Sequence, residues 1–238
     1  MDIFDVIETT WPAAATHVAG PWKIRDGQGG GKRVSSVEWI TDHFDADDLD
    51  QAEDAMRALG QDALFMIRPE HGVLDEALAE RGYEIIDPVN IYQARATDIA
   101  TERPPRVSMF CVWPRLAIQE NIWTQGGIGP KRWDVMDRAI GPKTTIVGRW
   151  DDQPAATAYV ALCGATSMLH ALEVLPHQRQ KGVARNVMRQ AAFWTLEQGG
   201  TDIAVVCVKT NTGANALYSS LGMELISSYH YRIKRDRT

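Results

Sequence analysis

The sequence predicts an α+β (mixed α/β) chain made of two related units. Three observations carry that expectation: strand-like runs precede one long amphipathic helix between residues 144 and 198, a proline pair interrupts the chain at Pro104–Pro105, and a single offset of 140 residues lays the first part of the chain on the second. The 238 residues suit one large domain or two small ones, at about 100–200 residues apiece. Hydrophobic residues are 45% of the chain and charged residues 24%. That leaves enough apolar material for a packed core and excludes disorder, collagen and coiled coil.

The elements follow in order. Trp22–Arg25 and Arg33–Ile40 read as strands joined through Gly27, Gly29, Gly30 and Gly31. No helix opens after these glycines, so a hairpin turn suits them better than a phosphate loop. Asp47–Leu59 repeats apolar Leu49, Ala52, Met56 and Leu59 at helical spacing, and Ala63–Ile67 is an apolar strand run. In Ala94–Val107, Thr97, Asp98 and Thr101 lead into Pro104–Pro105, which continues neither a helix nor a central strand. The expected domains are therefore 1–104 and 105–238. After the break, Val107–Trp113 alternates as a strand does, and Leu116–Trp123 and Arg132–Ala139 are short helices around the loop Gly126–Pro130. Thr144–Trp150, Pro154–Cys163 and Met168–Leu175 form a meander with turns at Asp151–Asp152 and Gly164. Gly182–Gln198 sets Val183, Val187, Met188, Ala191 and Thr195 at helical spacing and stops at Gly199–Gly200. Ile203–Val208 is a buried strand, Ala214–Leu221 a short helix stopped by Gly222, and Glu224–Lys234 a final strand.

Adding 140 maps Ala63–Ile67 onto Ile203–Cys207, Arg81–Ile86 onto Leu221–Ile226, and the helix Asp47–Leu59 onto residues within the second long helix and its stop. One register carries all three segments. The halves differ in charge: residues 1–104 hold 9 Lys and Arg against 21 Asp and Glu, a balance of −12, and residues 105–238 hold 16 against 10, a balance of +6. The basic half is the better candidate for an anionic ligand. The net charge of −6 argues against a general nucleic-acid surface, which needs a basic excess. No stretch of about 18 apolar residues exists to span a bilayer, and the acidic start lacks the features of a signal peptide, so a cytoplasmic protein is expected. Cys111, Cys163 and Cys207 stand singly in apolar surroundings and read as reduced core thiols, with neither a disulfide nor a metal spacing.

The run Leu172–Ala184 is the most informative. An apolar strand ends at Pro176, and a turn with Arg179, Gln180, Lys181 and Gly182 opens a helix. The first turn of a helix has free N–H groups and the positive end of the dipole, so a pyrophosphate can lie against it. Gly182 and Ala184 allow close approach, small size mattering there more than a special backbone, and Arg179 and Lys181 add charge. A plain strand–loop–helix connection with solvated basic residues would look the same.

The pattern Arg179-x-x-Gly182-x-Ala184 after Val174-x-Pro176 resembles the acetyl-coenzyme A signature of the GNAT acyltransferase superfamily. Downstream, Asn211-x-x-Ala214-x-x-Leu217-Tyr218-x-x-Leu221-Gly222-Met223 is similar to that family's second motif. The resemblance covers about residues 107–238, and the first half resembles the degenerate amino-terminal unit of tandem members. It implies two domains, each a mostly antiparallel twisted sheet flanked by helices, of which only the second is catalytic. The implied activity is transfer of an acetyl group from acetyl-coenzyme A to an amine by direct attack, with no metal. Acyl-coenzyme A sensing without turnover is the alternative.

The resemblance also implies roles. Leu172, Glu173 and Val174 would lie on a strand that splays from its neighbour and bind the acetyl carbonyl and pantetheine arm. Arg179, Gln180, Lys181, Gly182, Val183 and Ala184 would hold the pyrophosphate. Asn211 would contact pantetheine, though it also suits a helix N-cap. Tyr218, rotated toward the edge of the face carrying Leu217 and Leu221, would protonate the leaving thiolate, though it also suits plain packing. Glu173 is the only acid between Asp152 and Glu197 and the first choice of general base, with His170 the runner-up; an edge-strand glutamate facing water is the other reading. Subtracting 140 from Arg179, Gly182, Ala184, Asn211 and Tyr218 gives Trp39, Asp42, Phe44, His71 and Leu78, so every functional position is lost in the first half. The expected acceptor is a small-molecule or peptide amine, with a cationic one favoured by the acidic half. Nucleic acid and membrane are not expected partners, and a homodimer is compatible with these features.

Overall fold

The computed structural model describes residues 1–234. In chain order it contains α1 (Ile3–Thr10), β1 (Ala15–Ala19), β2 (Trp22–Asp26), β3 (Val37–Trp39), α2 (Ala46–Ala58), β4 (Ala63–Ile67), α3 (Gly72–Glu80), β5 (Glu84–Arg95), α4 (Ala96–Ile99) and β6 (Met109–Val112). There follow α5 (Ala117–Gln125), α6 (Pro130–Arg138), β7 (Lys143–Trp150), β8 (Gln153–Cys163), β9 (Thr166–Val174), α7 (Val183–Glu197), β10 (Asp202–Val208), α8 (Thr212–Ser220) and β11 (Glu224–Lys234). The mixed α/β class matches the sequence reading; the structure adds α1, β1, α3 and α4, and a 3-10 turn, Lys32–Val34, follows the glycines where the sequence predicts a strand from Arg33. The 140-residue offset recurs in the coordinates: α3 and α8 begin and end 140 residues apart, as do the starts of β5 and β11.

The chain folds into two compact units. One holds Met1–Pro12, Ile91–Cys207 and Asn211–Ile226; the other holds Ala13–Asn90, Val208–Thr210 and the chain from Ser227 onward. This is not the division at residue 104. The proline pair lies inside the unit that carries the motifs, because the last strand of each half is divided between the two units. Ile91–Arg95 of β5 belongs with the motif unit, and β11 runs antiparallel to β4, with His230 opposite Ile67 and Lys234 opposite Ala63.

The unit built mainly from residues 13–90 has the strand order β1-β2-β3-β4-β11. All neighbours are antiparallel except the parallel pair β3–β4, where Val37 faces Phe65. Trp22, Phe65 and Tyr83 meet edge to face in its core. Buried Glu38 is held between Arg25 and Arg68, so the carboxylate does not enter the interior uncompensated.

The motif unit has the order β5-β10-β9-β8-β7-β6. The β7–β8–β9 meander is antiparallel, and β9–β10 is parallel. β8 is buried along nearly its whole length. Its Ala156, Ala158 and Val160 join the core built on Val187, Met188, Ala191 and Ala192 of α7, whereas Thr157 and Tyr159 meet Gln119 of α5 and Trp11 after α1. Successive strand side chains point to opposite faces, so this alternation buries β8 on both sides, and Ala156 and Ala158 let α7 approach closely. Two of the three cysteines are buried as expected, but Cys111 is exposed: β6 ends the strand order, and its centre faces solvent. No helix among the described residues is long and apolar enough to cross a membrane.

Candidate active site

The site begins with a defect in β9. Against β10 the pairing runs from Thr166 opposite Asp202 to Leu169 opposite Val205 and stops. Against β8 the register slips, for Tyr159 faces His170 while Thr157 faces Glu173. The extra residue is a β-bulge. Ala171 takes a left-handed backbone (φ 52), and its carbonyl accepts from the indole N–H of Trp123 on α5 at 2.7 Å. A bulge bends its strand and re-aims the side chains beyond it. Leu172, Glu173 and Val174 are half-buried, with no ladder partner on β10 among the described residues.

The strand then gives way to a single 3-10 turn, Pro176–Gln178, and to a loop in which Gln180 (φ 61) and Gly182 (φ 79) are left-handed. Left-handed residues in a turn can converge backbone N–H groups on one concave spot, a geometry that suits an anion. Gly182 is the N-cap of α7, yet no side chain caps the helix and its first turn carries no acid. A Cβ built on Gly182 would meet nothing within 4 Å. The expectation that small size matters here more than a special backbone therefore needs correction: Gly182 lies at φ 79, where a side chain is strained. Val183 is buried in the core and Ala184 half-buried. Lys181 donates to Gln178 at 3.1 Å. Arg179 is turned back toward β9, its Nε donating to the Val174 carbonyl at 3.0 Å and its Nη2 to Glu173 Oε1 at 3.1 Å.

The equivalent place in the other unit is built differently. Asp45 caps α2 and accepts from the Asp48 N–H, Asp48 accepts in return from the Asp45 N–H, and Asp47 and Asp48 stand in the first turn. Carboxylates of the chain itself thus satisfy and neutralise that helix start. Trp39, which the offset pairs with Arg179, has its ring 5.2 Å from Phe44 and 5.5 Å from His71, the residues paired with Ala184 and Asn211. Leu78, paired with Tyr218, is fully buried.

Glu173 borders a cleft of about 450 Å³ lined by Ile122, Gln125, Gly126, Leu175, Pro176 and Arg179 as well. Its side chain is 18% exposed, so the edge-strand reading in open water does not describe it. His170 lies elsewhere. It is buried, with its ring 5.0 Å from Trp11 and 6.0 Å from Tyr159, and its Nε2 is 2.8 Å from Thr10 Oγ1. The Thr10 hydroxyl donates to the Val6 carbonyl at 2.6 Å, which leaves its oxygen to accept from the imidazole. His170 is a satisfied core histidine.

Asn211 is an N-cap, its side chain accepting from the Ala214 N–H at 3.1 Å. Tyr218 is the buried residue of α8, while Leu217 and Leu221 are only partly buried against the same core. It is therefore central on the packed face, where the sequence put it near the edge. Burial raises its phenol pKa well above the ordinary value, and the nearby Cys207 adds to this. Burial also pushes the Cys207 thiol up to about 11. The Tyr218 ring lies 5.7 Å from that of Tyr92, whose hydroxyl donates to Asn215 Oδ1 at 2.9 Å. Asn215 Nδ2 donates to the Asn211 carbonyl at 2.7 Å, tying the start of α8 to this contact.

Sequence reasoning missed Trp123, Gly126 and Tyr92. Trp123 and Gly126 lie in the stretch Trp113–Pro130, which the sequence offers only as a whole, as part of the surface that meets the acceptor. Tyr92 sits in the segment assigned to the first half, and only the strand pairing places it beside Tyr218. Among the described residues, no group of three or more His, Cys, Asp or Glu side chains is placed to hold a metal ion.

Residues 113–223 match the acetyltransferase (GNAT) family. A Bacillus subtilis (strain 168) protein named as an uncharacterized N-acetyltransferase, YobR, is 27% identical over 235 residues, covering 95% of each chain. The solved structure of a GCN5-related N-acetyltransferase from Kribbella flavida superposes with a TM-score of 0.70 at 18% identity, over 98% of this chain and 94% of that one. A tandem GNAT protein from the clavulanic acid biosynthesis pathway gives a TM-score of 0.61 at 12% identity, over 84% and 74%. Family and relative support acyl transfer, and the two structures share the fold. Over residues 113–223 the chain is thus similar to the acetyltransferase (GNAT) family.

Proposed function

We propose that the protein transfers an acetyl group from acetyl-coenzyme A to a primary amine. The observation that carries this reading is the succession of a strand that parts from its neighbour at Leu172–Val174 and an uncapped left-handed turn opening α7. The open space over Gly182 suits a phosphate, and the unpaired edge of β9 suits an amide-bearing arm.

An alkylammonium near pKa 10.4 costs about 4 kcal/mol to neutralise at pH 7. Glu173, in the cleft beside the splayed edge, takes that proton. The freed nitrogen bonds to the thioester carbonyl carbon, and backbone N–H groups of Leu172–Val174 meet the developing oxyanion. As the C–S bond breaks, Tyr218 protonates the thiolate, and the second proton shed by nitrogen restores the phenol. Glu173 releases its proton to solvent, so one proton leaves per turnover.

The reading is tested by titrating acetyl-coenzyme A calorimetrically and then following thiol release with n-butylamine, spermidine, an amino acid and an aminoglycoside. Binding and thiol release with at least one amine are expected. Binding without release from any amine would favour the sensing alternative, and no binding would overturn both. The stoichiometry should be one per chain, because α2 is capped by its own carboxylates and three of the five equivalent positions form an aromatic cluster. A value near two would contradict this. Affinity should fall with salt, since attraction between phosphates and the Arg179–Lys181 turn is screened over about 8–10 Å.

A further inference from the structure

Gly126 stands where the carboxylate of Glu173 needs room. A Cβ added to Gly126 would lie 2.5 Å from Glu173 Oε2, 2.6 Å from its Cδ and 2.8 Å from its Cγ, inside any real contact. The backbone does not require glycine here, for Gly126 closes α5 with φ −84, an angle open to every residue. The missing side chain is therefore explained by the neighbour and not by the turn. On its other side, Glu173 Oε1 accepts from Arg179 at 3.1 Å. The carboxylate is thus held between a guanidinium and a bare backbone, at the wall of the cleft.

Both walls of that contact are fixed independently. The Trp123 indole ties α5 to the bulge carbonyl of Ala171, two residues before Glu173. Buried Gln119 anchors the start of α5, its Oε1 accepting from the Leu116 N–H at 2.9 Å and the Thr145 hydroxyl at 3.0 Å, while its Nε2 donates to Thr157 at 3.1 Å. Thr157 is the residue opposite Glu173 on β8. The same helix therefore grips the strand on either side of Glu173 and presents Gly126 to its carboxylate. The flexible member of the contact is the glutamate side chain.

We propose that Gly126 is a positioning residue for Glu173: its lack of a side chain sets where the carboxylate meets the amine. This rests on the reading of Glu173 as general base. A methyl group at Gly126 displaces the carboxylate and leaves the helix, the bulge and the α7 turn intact. Misplacing a reacting group by about 1 Å can cost on the order of 10²-fold in rate.

The test is a double-mutant cycle in the full chain, using acetyl-coenzyme A and the amine turned over fastest in the panel above. Gly126→Ala should lower kcat/KM for the amine by about 10–10²-fold, with coenzyme A affinity by calorimetry changed less than about twofold. Glu173→Gln should lower it by about 10²–10⁴-fold, the worth of a positioned base. In the double variant, Gly126→Ala should cost nothing beyond Glu173→Gln, since no base remains to misplace. Losses that multiply, or full activity in Gly126→Ala, would overturn the proposal while a dead Glu173→Gln leaves the base intact; full activity in Glu173→Gln would instead overturn the base. A crystal structure of Gly126→Ala gives a readout free of any acceptor. The Glu173 carboxylate should have moved by about 1 Å or more, with the Trp123–Ala171 bond kept. A shifted α5 with Glu173 in place would count against the proposal.

Discussion

Tyr218→Phe should lower turnover by about 10²–10⁴-fold, the usual worth of a positioned general acid, with acetyl-coenzyme A affinity nearly unchanged. The hydroxyl is proposed to act only when the thiolate leaves, so its loss belongs to the transition state and not to binding. The environment favours a group that keeps its proton. Burial holds the phenol pKa above its ordinary value of about 10, so Tyr218 remains a donor throughout the neutral range and into moderately alkaline solution. The rate should accordingly show no loss from phenol ionisation up to about pH 10. The phenylalanine ring still packs against Tyr92, and the melting temperature should shift by no more than loss of about 1 kcal/mol implies. Full turnover in the variant, measured with the best amine of the panel, would return Tyr218 to a packing role. The oxyanion donors of Leu172–Val174 would then carry the case for catalysis alone.

The contrast between Tyr218 and Gly126 shows which parts of the site could be read in the chain. Asn211, Tyr218 and the Arg179–Ala184 turn lie within short segments and stand out through the resemblance to the GNAT motifs; their spacing alone suits an N-cap, a packing tyrosine and a plain strand–loop–helix connection equally well. The left-handed angle at Gly182 was not anticipated, because a glycine at a helix start is explained as easily by size as by backbone. The neighbourhood of Glu173 depends on the bulge at Ala171, which breaks the period of two that strand reasoning relies on, and on Gly126, which is remote in sequence. The boundary between the two units is hidden in the sequence for a related reason. A proline pair marks a local interruption, whereas the division of each half's last strand between the two units is decided by pairing across the length of the chain. Cys111 shows the same limit at smaller scale: its apolar neighbours resemble those of a core strand, but β6 ends the strand order.

Gly182→Val should reduce coenzyme A affinity by about 10²–10⁴-fold. A side chain there would occupy the space over the α7 start and deny the phosphates roughly two charge-assisted hydrogen bonds, each worth about 1.5–3 kcal/mol. The backbone adds a second cost, because Gly182 has φ 79 and a β-branched residue in that region is strained by about 1–3 kcal/mol. The melting profile should therefore fall as well, and a loss of affinity alone would not separate the two effects. Gly199 provides the control. It follows α7 at the opposite end, has φ 81, and like Gly182 has nothing within 4 Å of its Cβ position. Gly199→Val carries the same backbone penalty without approaching the turn, so it should lower the melting temperature comparably and leave coenzyme A binding unchanged. Equal losses of affinity in the two variants would mean that helix destabilisation, and not the phosphates, explains Gly182→Val. Affinity preserved in Gly182→Val would mean that the turn does not approach the cofactor, and the anion cradle at α7 would have to be abandoned.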